Sequence, residues 1–303
     1  MNTVAVLPPL LVLDPLLRSW LLEDIGRGDR TTQGLLAGKV RTGQGSWVTK
    51  APGVIAGLPL AARVFQLLNE EINFVAVAPE GELCQPGQVV ARLEGSLDAL
   101  LTGERVALNL VMRLSGIATL TRKYVDQIAD LSAQLVDTRK TTPGLRLLEK
   151  YATKLGGAIN HRVGLDDAVM IKDNHIAAAG GIGAAIALIR PQIPYPLTIE
   201  VETETLDQVE EALQHQSDII MLDNMSLDVM RHAVQMIRQR DSRIKIEASG
   251  NITLETIRAV AETGVDYISS SAPITQSSWL DLSMNLETST NYERNTRATK
   301  TSI

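Results

Sequence analysis

Six short apolar runs in the second half of the chain alternate with helical patterns, and this alternation limits the possible folds more than any other feature. Helical patterns lie between the runs, notably at Leu206–His215, Leu227–Gln239 and Leu254–Thr263. Alternating strands and helices predict parallel strands joined by helical crossovers. A complete eight-unit barrel needs ~250 residues, whereas the stretch from Ser132 to Met284 has room for about six units. We therefore predict an incomplete, about six-stranded α/β barrel. The six runs are QLVDT, AVMIKD, LTIEVE, DIIMLD, IKIEAS and VDYISS.

Residues 1–115 have a different sequence pattern, which predicts a small α+β sandwich domain that precedes the barrel. Glycine and proline punctuate short β-like runs there, as is typical of tight turns in an antiparallel sheet. The runs are Gly45–Thr49, Gly53–Ala56 and Asn73–Val77, with helices at Pro15–Glu23 and Ala61–Leu68. A long helical pattern from Gly103 to Leu131 leads into the barrel, which we assign to residues 116–285. Residues 286–303 are poor in apolar side chains and are predicted to be a disordered tail.

Charge and cysteine content exclude several classes of protein. The chain carries 29 Lys and Arg against 35 Asp and Glu, a formal charge of −6, so no excess of cations is present to neutralise nucleic-acid phosphates. No apolar run approaches the ~20 residues of a membrane span, and Pro8, Pro9 and Pro15 interrupt the apolar start of the chain. The single cysteine, Cys84, cannot form an intrachain disulfide. These features predict a cytoplasmic enzyme with no nucleic-acid or membrane partner.

Polar residues follow each of the six apolar runs. In parallel barrels the reactive groups collect at the carboxyl ends of the strands, where the loops converge. The early exits are cationic and the later ones are acidic or rich in Gly and Ser. This order predicts a site with one anion-binding half and one half that binds a metal or hydroxyl groups. The exits are Thr138–Lys140, Lys172–Asn174, Glu200–Glu202, Asp223–Asn224, Ser249–Asn251 and Ser269–Ser271.

Five cationic or potentially cationic side chains lie in the early exits and beside them: Arg139, Lys140, His161, Arg162 and Lys172. Arginine offers a planar fork that matches a carboxylate, and lysine supplies a compact positive charge. A solvated basic surface is the alternative interpretation. Because the three segments are expected to converge in space, their shared charge favours a site for an anionic substrate.

The acidic half begins with Glu200 and Glu202, which are two residues apart in a strand and therefore point to the same face. Glu202 and Asp223, on neighbouring strands, can hold Mg²⁺ directly or through water, or accept hydrogen bonds from ribose hydroxyls. Salt bridges to nearby lysine or arginine are the alternative. The two last exits, Ser249–Asn251 and Ser269–Ser271, resemble a phosphate cradle built from backbone N–H groups, although plain turns have the same composition.

The motifs that surround these residues resemble those of quinolinate phosphoribosyltransferase, also called carboxylating nicotinate-nucleotide pyrophosphorylase. The match runs from about residue 20 to Met284, and the combination of DTRKT, NHR and IKDNH is highly specific. The matching segments are EDIGRGDRTT, GERVALNLVMRLSGIAT, DTRKTTPGLR, GGAINHRVGLDDAVMIKDNH, IEVET, IIMLDN, IEASGNIT and TGVDYIS.

The resemblance implies a pentosyltransferase of NAD biosynthesis. It would convert quinolinate and phosphoribosyl pyrophosphate into nicotinate mononucleotide, pyrophosphate and CO₂, with Mg²⁺ as cofactor. It also implies a homodimer, or a hexamer built from dimers, whose sites combine the barrel of one subunit with the amino-terminal domain of the other.

The resemblance assigns roles to individual residues as well. Lys140, Glu202 and Asp223 would be catalytic, with Glu202 and Asp223 at the metal. The quinolinate site would comprise Arg105 from the partner chain together with Thr138, Arg139, His161, Arg162 and Lys172. The phosphoribosyl pyrophosphate site would comprise Lys140, Glu202, Asp223, Ser249, Gly250, Asn251, Ser270, Ser271 and Ala272.

Three positions depart from the family pattern. Ser271 replaces a phosphate-loop glycine, and Ala158 replaces the last residue of a common triple glycine. Gln276 stands in a stretch where many members carry a basic or histidine residue. The departure at Ser271 means that the turn cannot depend on glycine at that position.

Three other functions compete with this interpretation. A phosphoribosyltransferase that acts without decarboxylation would need fewer cations than the chain provides. A noncatalytic anion-binding protein would not need the acids Glu202 and Asp223. A sugar-phosphate isomerase would explain the phosphate turns, but not the combination of Arg139, His161 and Arg162.

Overall fold

A computed structural model describes residues 5–288, which form two compact units. Leu120–Ser277 is one unit, and the described residues on either side of it form the other. No helix among the described residues has both the length and the apolar character required to cross a membrane.

The secondary structure begins with two helices and continues with the strands of a small sheet. In chain order these elements are α1 (Leu10–Ile25), α2 (Arg30–Leu36), β1 (Thr42–Thr49), β2 (Gly53–Val54), α3 (Leu58–Leu68), β3 (Asn73–Ala76), β4 (Leu83–Cys84), β5 (Val89–Ser96) and α4 (Leu97–Asp126). The second unit then follows with β6 (Gln134–Val136), α5 (Arg146–Gly156), β7 (Val169–Ile171), α6 (Asp173–Ala179), α7 (Ile182–Ile189), β8 (Ile199–Thr203), α8 (Leu206–Gln214), β9 (Ile219–Asp223), α9 (Leu227–Arg240), β10 (Lys245–Ser249), α10 (Ile257–Ala261), β11 (Tyr267–Ser269) and α11 (Ala272–Thr275). The last described element is β12 (Leu282–Thr288).

The first unit is built on an antiparallel sheet with the strand order β12-β1-β5-β3. Trp47 on β1 is fully buried and meets the rings of Phe65 and Phe74 edge-on, with centroid distances of 6.2 and 5.7 Å. These three aromatic side chains pack α3 against the sheet, since aromatic residues bury large areas and prefer edge-to-face contacts. The predicted small α+β unit is therefore present.

The carboxyl-terminal strand β12 corrects the predicted tail. Its residues pair with β1 along its whole length, and Leu286 lies opposite Gly45. Residues 286–288, predicted to begin a disordered tail, are thus part of the small sheet. The apolar alternation of Leu282, Met284 and Leu286 is the period-two signal of such a strand. Residues 289–303 lie outside the described residues, and the prediction for them stays a prediction.

The second unit contains the predicted six parallel strands, in the order β6-β11-β10-β9-β8-β7. The strands β6 and β7 form the two ends of this order, which confirms an incomplete α/β barrel. Alternate strand residues such as Val201, Ile220 and Ile246 belong to one apolar cluster with residues of the covering helices. On β8 and β10 the intervening positions carry polar residues, among them Glu200, Glu202 and Glu247, so the period of two sends functional side chains to the other face of the sheet.

Replacement of Gly116 by alanine tests the packing of α4 in the first unit. A Cβ at this position would press against the backbone carbonyl of Ser278 and lie 3.1 Å from Cα of Trp279. Because backbone cannot give way cheaply, we expect Gly116→Ala to destabilise the protein by ~1–3 kcal/mol, measured by thermal unfolding. Gly34→Ala in α2 is the control, since a Cβ there meets no atom within 4 Å. Equal melting temperatures for Gly116→Ala and wild type would contradict this packing.

Candidate active site

A cavity of about 260 Å³ lies at the carboxyl ends of the barrel strands. Most of the residues predicted for the anion-binding half line it, which brings together side chains from three separate segments of the sequence. The predicted residues in the lining are Thr138, Arg139, Lys140, His161, Arg162, Lys172 and Ser249. The remaining lining residues are Asp137, Met170, Met221, Glu247 and Ser269.

The loop after β6 presents Arg139 and Lys140 through a tight turn. The hydroxyl of Thr138 accepts a hydrogen bond from the Lys140 N–H at 3.0 Å, and the Arg139 carbonyl accepts one from the Thr141 N–H at 2.9 Å. Arg139 is half-buried and Lys140 is exposed. A local turn held by its own hydroxyl and backbone groups thus fixes two adjacent cations at the mouth of the cavity.

Buried carboxylates surround His161. Its Nε2 lies 3.1 Å from Glu200 Oε2 and 3.5 Å from Glu247 Oε2. Burial opposes a charged ring, but the hydrogen bonds and charges of the two glutamates outweigh it and raise the pKa of His161 to about 10. The cluster therefore retains an additional proton at neutral pH.

The hydrogen bond at the other ring nitrogen bears on where that proton lies. The Arg162 N–H donates to His161 Nδ1 at 2.7 Å, which requires a free lone pair on Nδ1 and a ring proton on Nε2. This contact favours a neutral ring, in contrast to the raised pKa of His161. Burial also raises the pKa of Glu200, which is 3% exposed and has no hydrogen-bond partner for Oε1 in the described part of the chain. His161 and Glu200 therefore titrate together as a pair that shares the additional proton.

Arg162 and Lys172 complete the cationic side of the cavity. Arg162 donates from Nη1 to the Ala168 carbonyl at 2.8 Å, and burial, aided by the nearby charge of Arg139, lowers its pKa. Lys172 Nζ forms an ion pair with Glu202 Oε2. A salt bridge was the alternative to metal or ribose binding by the acidic residues, and one is present at Glu202. It joins the cationic half of the site to the acidic half.

Asp223 and the turn Ser249–Asn251 lie side by side. Asp223 is paired in register with Ser249 on the neighbouring strand, and its Oδ2 accepts a hydrogen bond from Asn224 Nδ2 at 2.8 Å. Asn251 Nδ2 donates to Asn224 Oδ1 at 3.2 Å. Gly250 has a φ of 101° and a Cβ there would collide with the Asn224 side chain, so glycine is required in this turn. The turn after β9 and the turn after β10 are therefore joined by a hydrogen bond.

The turn after β11 does not depend on glycine. Ser271 has a φ of −87°, which any L-residue adopts, so its replacement of the family glycine causes no backbone strain. Ser270 and Ala272 are buried, and the Ser270 hydroxyl accepts a hydrogen bond from the Ala272 N–H at 3.3 Å.

Several predicted site residues are not part of the cavity lining. These are Glu202, Asp223, Gly250, Asn251, Ser270, Ser271 and Ala272, in the same unit as the cavity. Arg105 belongs to the first unit, on α4, where it lines a concave surface with Trp20, Glu23, Asp24 and Asn109.

Glu247, Met170 and Met221 line the cavity but were not predicted as site residues. Each stands two residues before a predicted site residue of the same strand exit: Glu247 before Ser249, Met221 before Asp223, and Met170 before Lys172. The period of two along a strand was the available signal, because it places both members of each pair on one face.

Comparison with known proteins gives the same family as the motifs. A family model described as the N-terminal domain of quinolinate phosphoribosyl transferase matches residues 29–115, and the model of its C-terminal domain matches residues 117–285. The chain belongs to the quinolinate phosphoribosyltransferase family. This confirms the family predicted from the motifs.

Relatives of this phosphoribosyltransferase cover nearly its whole length. A probable nicotinate-nucleotide pyrophosphorylase [carboxylating] of Synechocystis sp. is 62% identical over 92% of this chain and 94% of its own. One from Bacillus subtilis is 45% identical over 91% of this chain and 94% of its own. The crystal structure of NadC from Streptococcus pyogenes, 41% identical, superimposes with a TM-score of 0.89 over 93% of this chain and 99% of its own.

Proposed function

We propose that this protein transfers the phosphoribosyl group of phosphoribosyl pyrophosphate to quinolinate, with loss of CO₂, and so makes nicotinate mononucleotide for NAD biosynthesis. The observation that carries this proposal is the convergence of Arg139, Arg162 and Lys172 on one cavity. Two carboxylates of a small aromatic acid need that many cations. An acceptor with a single carboxylate would leave one of the half-buried arginines, Arg139 or Arg162, without an anionic partner, which is unfavourable.

Quinolinate is held by Thr138, Arg139, His161, Arg162 and Lys172 in this proposal, and Lys140 lies between it and the pyrophosphate. Arginine forks bind carboxylates through two parallel hydrogen bonds, which orients the ring as well as binding it. The two substrates repel each other because both are anions. The cations between them offset this repulsion and bring the ring nitrogen close to the sugar carbon that it attacks.

Glu202 and Asp223 serve the ribose side. The sugar centre becomes cation-like as pyrophosphate leaves, and fixed carboxylates stabilise that developing charge. Both acids lie at the ends of neighbouring parallel strands, and their oxygens are the ligand type that Mg²⁺ prefers. These donors therefore fit a magnesium ion, held directly or through water, which when bound would offset the charge on pyrophosphate.

The phosphate of the donor is assigned to Ser249, Gly250, Asn251 and the turn Ser270–Ala272. The left-handed backbone at Gly250 and the locked turns beside Asp223 support a fixed set of N–H groups there. Decarboxylation then needs no separate electron sink on the protein. Once the ring nitrogen is ribosylated it is positively charged, and it stabilises the carbanion that the departing CO₂ leaves on the adjacent carbon.

The active unit in this proposal is a homodimer in which Arg105 of one subunit reaches the barrel cavity of the other. Arg105 stands on the first unit among residues that line a concave surface of their own, and an isologous dimer would create two such shared sites. The free, buried thiol of Cys84 suits a reducing compartment, and we propose the cytoplasm as the location.

A subunit-mixing experiment tests the shared site. Arg105→Ala and Arg139→Ala proteins should each be nearly inactive, but refolding them together should restore activity. In a mixed dimer one of the two sites receives both arginines, so random assortment gives about a quarter of wild-type activity. Activity that stays at the level of the separate variants would contradict the partner contribution of Arg105.

Product analysis tests the function itself. Purified protein is incubated with quinolinate, phosphoribosyl pyrophosphate and Mg²⁺, and nicotinate mononucleotide and CO₂ are measured. Equal amounts of both products are expected. Activity with nicotinate instead of quinolinate, without CO₂, would favour the phosphoribosyltransferase that does not decarboxylate.

A further inference from the structure

Helix α5 carries a polar stripe where a helix that covers a sheet normally presents apolar side chains. The stripe consists of Arg146, Glu149, Lys150 and Thr153, which share one face by their spacing of three and four residues. Glu149 and Thr153 are fully buried and Lys150 is 3% exposed. Buried charges are destabilising unless they are bonded, so the partners of this stripe indicate its role.

The stripe holds the first anion segment, defined as residues 137–142, which includes Arg139 and Lys140. The Glu149 carboxylate accepts hydrogen bonds from both the N–H and the hydroxyl of Thr142, at 2.8 and 2.9 Å. Arg146 Nε donates to the Thr141 hydroxyl at 3.1 Å. Hydrogen bonds from α5 therefore hold the loop that carries the two cations at two consecutive residues, Thr141 and Thr142.

The same stripe holds the second anion segment, residues 160–163, which includes Arg162. Lys150 Nζ donates to the His161 carbonyl at 2.9 Å, and Arg146 Nη1 donates to the Val163 carbonyl at 3.0 Å. Lys150 also pairs with Asp137, whose Oδ1 accepts the His161 N–H at 2.9 Å. One helix face therefore connects both segments.

We propose that the polar stripe of α5 sets the separation of the two anion segments and that its members are positioning residues for the transfer reaction. Their polar atoms are directed to loop backbone, to hydroxyls and to the Asp137 carboxylate, which accepts from Lys150 and from the Thr153 hydroxyl. They therefore act on substrate through the two segments that carry Arg139, Lys140 and Arg162. The inference rests on the proposed function, because it assigns those three residues to the substrates. Small displacements of such anchors have large kinetic effects.

Glu149 is the member that can be tested with the least disturbance. Lys150 is unsuitable, because its removal leaves Asp137 charged, buried and without its ion-pair partner. Glu149→Gln keeps the side-chain shape but has a single oxygen, so it can accept only one of the two Thr142 hydrogen bonds well. Thr142→Val removes the hydroxyl from the other side of the same contact and retains the N–H.

Lys154→Gln is the control, since it removes a charge from the same helix at a residue whose side chain makes no hydrogen bond in the described part of the chain.

The experiment measures kcat and both KM values for wild type, the three single variants and the Glu149→Gln/Thr142→Val double variant, with circular dichroism to verify folding. We expect Glu149→Gln to raise the KM for quinolinate about tenfold or more in folded protein. The double variant should raise it by less than the product of the two single effects, because both changes disrupt one contact. Lys154→Gln should match wild type.

The outcomes separate this inference from the proposed function. A wild type that forms no nicotinate mononucleotide overturns the proposed function, and this inference with it. Suppose that the wild type is active and that Glu149→Gln and Thr142→Val reduce the yield of folded protein but leave both KM values unchanged. The stripe then has a purely structural role, and this inference alone is overturned. If Glu149→Gln does not fold, the KM of Thr142→Val for quinolinate is used instead: a raised KM supports this inference, and an unchanged KM overturns it.

Discussion

Replacement of Arg162 by alanine should raise the KM for quinolinate about tenfold to a hundredfold, because a charge-assisted hydrogen bond contributes ~1.5–3 kcal/mol. The KM for phosphoribosyl pyrophosphate should change far less. Arg162 lines the cavity together with Arg139, and burial lowers the pKa of its half-buried guanidinium. Steady-state kinetics with each substrate varied in turn measures the difference. Arg139→Ala should behave in the same way.

The control for this prediction is Arg243→Ala. Arg243 has a side chain that is 89% exposed and paired with Asp241, in the same unit but outside the cavity lining. Exposed ion pairs contribute little to stability, so this variant should keep both KM values. Equal increases in both KM values for Arg162→Ala would contradict the assigned division between the two substrates.

The Glu202→Gln/Asp223→Asn double variant should lower kcat about a hundredfold or more, as expected when groups that stabilise transition-state charge are removed. Its KM for quinolinate should change less, because neither acid lies in the cavity lining. Loss of Glu202 also frees Lys172 from its ion pair, which strengthens rather than weakens the attraction for quinolinate. The measurement is turnover at saturating substrates over a range of Mg²⁺ concentrations.

Glu204→Gln is the matched control for the acids, since this exposed glutamate follows the same strand only two residues after Glu202. It should retain wild-type turnover. Unchanged turnover of the double variant at saturating Mg²⁺ would remove the proposed role of both carboxylates.

The fold and the convergence of the cationic side chains could be predicted because they depend on local patterns. Apolar runs such as DIIMLD identify strands, and the carboxyl ends of parallel strands share one edge, so Arg139, Arg162 and Lys172 were expected to converge. The convergence is present in the cavity. Strand β12 was not predicted, because the polar composition after Leu286 conceals the alternation that begins at Leu282.

The contacts by which α5 holds the loops of the site could not be predicted from local patterns. Glu149 and Lys150 look like ordinary surface charges in a helical pattern, since a sequence does not reveal that this face is covered by two loops. The period of two could place Glu247 on the site face, but its contact with His161 joins residues far apart in the chain and could not be predicted. Such polar groups are placed by the closure of loops over the sheet, which local periodicity does not encode.

The most direct test of the account is a crystal structure of the protein with pyridine-2,3-dicarboxylic acid. We predict that the ligand occupies the barrel cavity, with its carboxylates within hydrogen-bond distance of the Arg139 and Arg162 guanidinium groups and of Lys172 Nζ. Ligand bound at a different surface, with these three side chains directed into solvent, would contradict the central claim that this cavity is the quinolinate site.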